Sequence, residues 1–234
     1  MRDPKGAVLA LLLACGPLDA WSPRVHEAQT AKAVRLLPRN LAALLRAHPQ
    51  ALLEGARGVA NDQPPTVEQV EARFRTILRL SEEYRRPEDI VRDLGVLAHM
   101  VQLLTDPSAT EGLSPLRESF EAYADEHLAH LLVTQEPYWA ATGSLDPGPA
   151  LRRFLSTKLE RHRRLRDHFS EETGRRIGPW DDLSLPFAQL QLAFSNGVHA
   201  TANLWILAWR AAGDQWETPP QPGGAVSNPT PGKD

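Results

Sequence analysis

The stretch "PEDIVRDLGVLAHMVQLLTDPS", residues 87–108, decides the fold class. Ile90, Leu94, Leu97, Val101 and Leu104 recur three or four positions apart, which lines them up on one face of an α-helix. The spacing predicts a helix over 87–105 with that face in the core. Working outward, the same periodicity runs from His26 to about Trp216, and no run of alternating β-branched residues is long enough to suggest a sheet. Predicted helices cover 24–37, 39–54, 66–84, 87–105, 115–133, 147–172 and 184–213, separated by turn signals such as "NDQPPT", "TDPSATEGLSP" and "GSLDPGP". The helix over 115–133 has Ser114 as its cap and Pro115 at its first position. The expected class is therefore all-α, a single multi-helix domain spanning residues 21–215. Residues 216–234 form a Pro/Gly-rich tail expected to be disordered.

A chain of 234 residues with 42% hydrophobic content can bury a substantial core. Its net charge of −3 gives no general attraction to nucleic acid or to an anionic membrane. The helix over 147–172 is locally basic, with Arg152, Arg153, Lys158, Arg161, Arg163, Arg164 and Arg166; a solvated surface explains it more simply than a phosphate-binding face. A single cysteine excludes an intrachain disulfide and a thiolate zinc cluster, so any metal must rely on histidine and carboxylate. The sequence contains no internal repeat and no Gly-rich phosphate loop.

The N-terminal "MRDPKGAVLALLLACGPLDAW" combines basic Arg2 and Lys5 with an apolar run from Ala7 to Ala14, the pattern of an export signal over residues 1–20. Two processing sites compete. Leu12-Leu13-Ala14-Cys15 would make Cys15 a lipid anchor, whereas Leu18-Asp19-Ala20 would expose Trp21 as the mature terminus. An uncleaved apolar helix is the third reading. No later segment has transmembrane length, so the expected location is periplasmic, extracellular or lipid-anchored to the envelope.

Of eight histidines, His26 and His99 stand in the most informative contexts, "AWSPRVHEAQTAKAVRLLP" and "DLGVLAHMVQLLTDPS". Together these segments resemble the zinc-dependent phospholipase C family and its relatives, the single-strand-specific nucleases. The resemblance extends from Trp21 to about Asp214, including the final "HATANLWILAWRAAGD" helix. It implies a helical secreted hydrolase that cleaves phosphodiesters with three clustered zinc ions.

Residue by residue, the resemblance makes Trp21 a metal ligand through its amine and carbonyl, with His26 beside it. Asp62 in "GVANDQPP" is implied as a metal ligand and catalytic residue, His99 as the histidine of the central helix, and Glu121 in "LRESFEAYADEH" as the last carboxylate. A histidine and an aspartate four residues apart share a helical face and can hold one ion. Here that aspartate position is Leu103, the histidine after Pro107 is replaced by Ala109, and Arg117 stands where another histidine is expected. A further family histidine has no counterpart, because none occurs between His48 and His99. No single inherited site keeps the three protein ligands of a catalytic zinc. Asp106, His127 and His130 are candidate substitutes.

The last helix carries Trp205 and Trp209 four residues apart, expected as core anchors. Ser156 and Ser195 lie in no nucleophile-elbow pattern. Two functions therefore follow. One is zinc-assisted hydrolysis of a phospholipid head group or a nucleic-acid phosphodiester through metal-bound hydroxide; the other is a noncatalytic relative acting as an envelope-associated binding protein.

Overall fold

The chain folds as an all-α protein. Its computed structural model describes residues 21–57, 64–83, 86–107, 117–134, 145–162, 167–170, 173, 175–178 and 180–213. The helices are α1 (Pro23–Val34), α2 (Arg39–Ala47), α3 (Pro49–Arg57), α4 (Val67–Glu82), α5 (Pro87–Leu104), α6 (Arg117–His127), α7 (Pro147–His162) and α8 (Leu185–Ala211). A single 3-10 turn, Leu128–His130, follows α6.

Side-chain caps set several of these starts. Ser22 Oγ accepts from Val25 N at 3.3 Å, with Pro23 opening α1. Thr66 and Gln69 form a reciprocal capping box on α4, at 2.7 and 3.3 Å. Ser184 caps α8 through Phe187 N.

The predicted helix over 39–54 is in fact two. Pro49 has no N–H and its ring obstructs the preceding turn, so α2 ends and His48 adopts φ −127° and ψ 54° before α3 begins. The predicted helix over 115–133 is shorter: α6 ends at His127 and tightens into the 3-10 turn, while Ser114 and Pro115 lie outside the described residues. Of the predicted helix over 147–172, residues 147–162 are helical and the described residues 167–170 are not α-helical, while 163–166 lie outside the described residues. Beyond it, Phe169 and Arg176 form an isolated antiparallel bridge, closed by Ser170 N to Arg175 O at 2.8 Å and Ile177 N to His168 O at 2.9 Å.

The stripe on α5 lies in the core, with Ile90, Leu94, Leu97 and Val101 buried and Leu104 packed against them. Helix α8 is buried around its whole circumference from Ala193 to Ala208, as expected of a central helix. It packs on α1, α4, α5 and α7, while α5 also packs on α3 and α4. Trp205 is fully buried and donates Nε1–H to Leu94 O at 2.9 Å, and Trp209 packs against the same core.

The tightest crossing joins α3 and α5 at Gly55 and Gly95. A Cβ on Gly95 would lie 2.3 Å from Leu52 O, and one on Gly55 would lie 2.0 Å from Arg92 O. Only glycine allows these backbones to approach so closely.

On the basic helix, exposed Arg152 pairs with Glu71 at 3.0 Å and Glu68 at 3.7 Å, fastening α7 to α4. No helix among the described residues is long and apolar enough to cross a membrane. Residues 1–20, expected as an export signal and including Cys15, and the residues beyond Gly213 lie outside the described residues.

Candidate functional site

Packing of α1 on α5 brings two sequence-predicted residues together. His26 and His99 are 2% and 4% exposed, with ring centroids 4.5 Å apart and planes tilted by 44°. Both face the interior because each shares a helical face with other buried residues, Gln29, Thr30 and Ala33 on α1 and Gly95, Gln102 and Leu103 on α5.

The hydrogen bonds around His26 fix its tautomer. Gln102 Nε2 donates to Thr30 Oγ1 at 3.2 Å and to Thr201 Oγ1 at 3.3 Å. Its Oε1 therefore faces His26 Nδ1, at 2.7 Å, and must accept from it. The proton consequently sits on Nδ1 and the lone pair on Nε2, a buried atom with no hydrogen-bond partner among the described residues. Burial, reinforced by the neighbouring His99 and only partly offset by Gln102, pushes the His26 pKa down to about 3. His26 is thus neutral at physiological pH. A neutral imidazole with one nitrogen held by an amide oxygen and the other presenting a lone pair has the electronic form of a metal ligand.

His99 also lines a cleft of about 460 Å³ between α3, α4 and α5. Val96, Met100 and Leu103 supply apolar lining, and Arg73 and Arg92 supply charge. Both guanidinium groups are already engaged: Arg73 with Asp93 at 2.8 Å, and Arg92 with Asp89 at 3.1 Å and Glu54 at 3.3 Å. The volume suits a small organic ligand.

The other implied ligands are placed at α6 or lie outside the described residues. Trp21 is fully buried, its ring 5.5 Å from Phe120 of α6, while Ser22 Oγ donates to Asp125 Oδ1 at 2.6 Å. Glu121 follows Phe120 and is half-buried. Asp62 and Ala109 lie outside the described residues. Leu103 is 4% exposed and contributes only hydrocarbon where the resemblance expects carboxylate. Asp106 is fully buried just beyond α5. Among the described residues, no group of three or more His, Cys, Asp or Glu side chains converges to hold a metal ion.

His127 and His130 meet a partner that the sequence reading did not include. His130 Nδ1 lies 2.7 Å from Asp182 Oδ2, and His127 Nε2 lies 3.8 Å from Asp182 Oδ1. The His127 ring also packs against Tyr123, centroids 4.2 Å apart and planes tilted by 43°. Ser195 is structural: its Oγ accepts from Thr134 N at 3.0 Å, while His199, one turn on, bonds the Thr134 carbonyl. Gln102 was missed as well, although its position three residues after His99 places it near the same face.

Comparison with models of known protein families and with curated protein sequences returns no match.

Proposed function

We propose that this protein is an exported, divergent relative of the zinc-dependent phospholipases C and single-strand-specific nucleases, with the His26–His99 pair as its retained metal-binding element. Its activity on this reading is hydrolysis of phosphodiester or phospholipid head-group bonds. The observation that carries the reading is the orphaned Nε2 of His26, neutral, buried and oriented through Nδ1 by Gln102, beside His99. That arrangement suits a histidine prepared for a cation.

The two histidines fit part of a zinc site, which takes about three protein donors with a position left open for water. The remaining donors implied by the resemblance are Asp62, Glu121 and the amine and carbonyl of Trp21. Bound zinc would supply Lewis acidity and an activated water. The chain's own contribution is to keep His26 in the correct tautomer, to exclude bulk water from its ring, and to offer the adjoining cleft to the substrate.

A second reading, a noncatalytic envelope-associated binding protein, draws support from Leu103 and Gln102. Leu103 leaves the aspartate position apolar, and Gln102 joins α1, α5 and α8 through His26, Thr30 and Thr201. Metal analysis of the processed protein, with phosphodiesterase and phosphatidylcholine hydrolysis assays alongside, separates the two. Stoichiometric zinc with activity supports the hydrolase. Near-zero zinc and no turnover after zinc addition sink it in favour of the binding protein.

A further inference from the structure

Five large apolar side chains are exposed among the described residues, and four of them, Leu132, Ile177, Leu183 and Leu185, belong to one connected structure. Leu183 is 96% exposed, close to its accessibility in a free peptide, and the other three range from 53% to 64%. Hydrogen bonds tie them together. Ser184 N donates to Asp181 O at 3.0 Å and Leu183 N to Asp181 Oδ1 at 3.1 Å, shaping the turn that carries Leu183 and Leu185. Trp180 Nε1–H donates to Ile177 O at 3.2 Å and holds Ile177 beside that turn. The 2.7 Å contact between His130 and Asp182 brings up the segment bearing Leu132.

Aromatic packing lies beneath the residues of this platform. Trp180 is 8% exposed and packs edge-on against Tyr123 and Phe169, each at 4.7 Å, while Arg176 lies over the Tyr123 ring at 5.2 Å. Single exposed leucines are ordinary on a protein surface, whereas several on neighbouring segments joined by such contacts mark a surface that meets an apolar phase.

The attachment point of the N-terminal segment indicates which phase. Residues 1–20 join the body at Trp21, which rests on Phe120, and Ser22 bonds Asp125; both partners lie on α6. The same helix supports the platform through Tyr123 against Trp180, His127 beside Asp182, and Glu126 paired with Arg176 at 3.4 Å. The apolar run Ala7–Ala14 and Cys15 therefore lead to the platform's own supporting helix. A chain from position 15 to position 21 spans at most about 20 Å. Arg175 and Arg176 are exposed directly before Ile177; Arg176 is paired with Glu126, while Asp182 is paired with His130 and Asp181 accepts from Leu183 N.

The geometry points to a lipid bilayer surface as the partner of this face, with Leu132, Ile177, Leu183 and Leu185 entering the boundary between head groups and acyl chains. The reading rests on a chain that keeps the apolar run or a lipidated Cys15, the processing alternative to a free Trp21 amine, and it requires no metal or hydrolytic activity.

Co-sedimentation of the full chain with vesicles of phosphatidylcholine, and of equimolar phosphatidylcholine and phosphatidylglycerol, tests it. The Leu183→Glu/Leu185→Glu double variant should partition roughly tenfold less than wild type or weaker still, with unchanged helicity and Tm. Leu145→Glu, the fifth exposed apolar position, should leave partitioning unchanged. All three chains carry the leader, so its own affinity for lipid cancels. Should the double variant lose helicity, Leu132→Glu/Ile177→Glu reads the same face. Equal partitioning of wild type and double variant overturns the proposal, as does a wild type that stays in the supernatant. A concentration-dependent dimer abolished by the double variant, with no vesicle binding, overturns it in favour of a second copy of the chain.

Discussion

His26 and His99 face each other across the contact of α1 with α5 at 4.5 Å between ring centroids, and a third residue, Gln102, determines what the first of them can do. By accepting the His26 Nδ1 proton while donating to two threonines, the amide of Gln102 uses its donors and its acceptor in a buried place. Its substitution is therefore the most informative single change at the site.

Gln102→Leu removes the acceptor for His26 Nδ1–H and both donors to Thr30 and Thr201. Each buried polar group left unpaired costs about 1–3 kcal/mol, so the variant should lose about 2 kcal/mol or more. Urea denaturation should show the midpoint falling at unchanged slope. A loss below about 0.5 kcal/mol would mean that the network contributes little to stability.

The depressed pKa of His26 makes a signed prediction for the metal-free protein. Its folded value, about 3, lies below its ordinary value of 6.5, so between these limits the unfolded chain binds the extra proton. Stability should be complete above about pH 6.5 and fall with acidification towards pH 3, by on the order of 1 kcal/mol per pH unit from this group. A His26→Phe variant should show a shallower slope in the same window when Tm is followed against pH. Parallel profiles would refute the assignment.

Gly95→Ala should destabilise the protein although alanine is the better helix former. The helix-propensity gain is about 0.5–1 kcal/mol, while a methyl group 2.3 Å from Leu52 O forces α3 and α5 apart, with overpacking costs of about 1–3 kcal/mol. A thermal melt should show a lower Tm; a higher one would show that the crossing relaxes freely.

Asp182→Asn offers the opposite scale. Asp182 and His130 are 47% and 59% exposed at the side chain, so solvent screens their contact and its loss should cost less than about 1 kcal/mol. The same denaturation measurement checks it, and a larger loss would place this contact among the principal ties of the loop.

Leu103→Asp tests the link between resemblance and metal binding. The new carboxylate would stand one turn after His99, where a histidine and an aspartate can share an ion. Zinc affinity, followed by competition with a chromogenic chelator, should rise by about tenfold or more. Unchanged affinity would separate this face of α5 from any metal site.

Much of the helical framework was legible from local pattern. The α5 stripe, the apolar-rich α8 and the boundaries near Val67 and Leu185 follow from periodicity, which acts over a few residues, while the Thr66 and Ser184 caps emerged with the structure. Pro49 was equally visible, and its known effect on the preceding turn explains why 39–54 is two helices. The end of α7 before Phe169 was less so, because the apolar and basic pattern continues past His162 and nothing in it announces the Phe169–Arg176 bridge.

The candidate site divides along the same physical line. Short-range spacing determined the all-α class, the burial of the α5 face and the presence of His26 and His99 on helices. Only tertiary structure decided that these two rings meet, that Gln102 sets the tautomer through Thr30 and Thr201, and that Asp182 reaches His130. Those contacts join residues far apart in the chain. Their existence depends on how helices cross, and helical periodicity carries the face a residue occupies but not the element that will cover it.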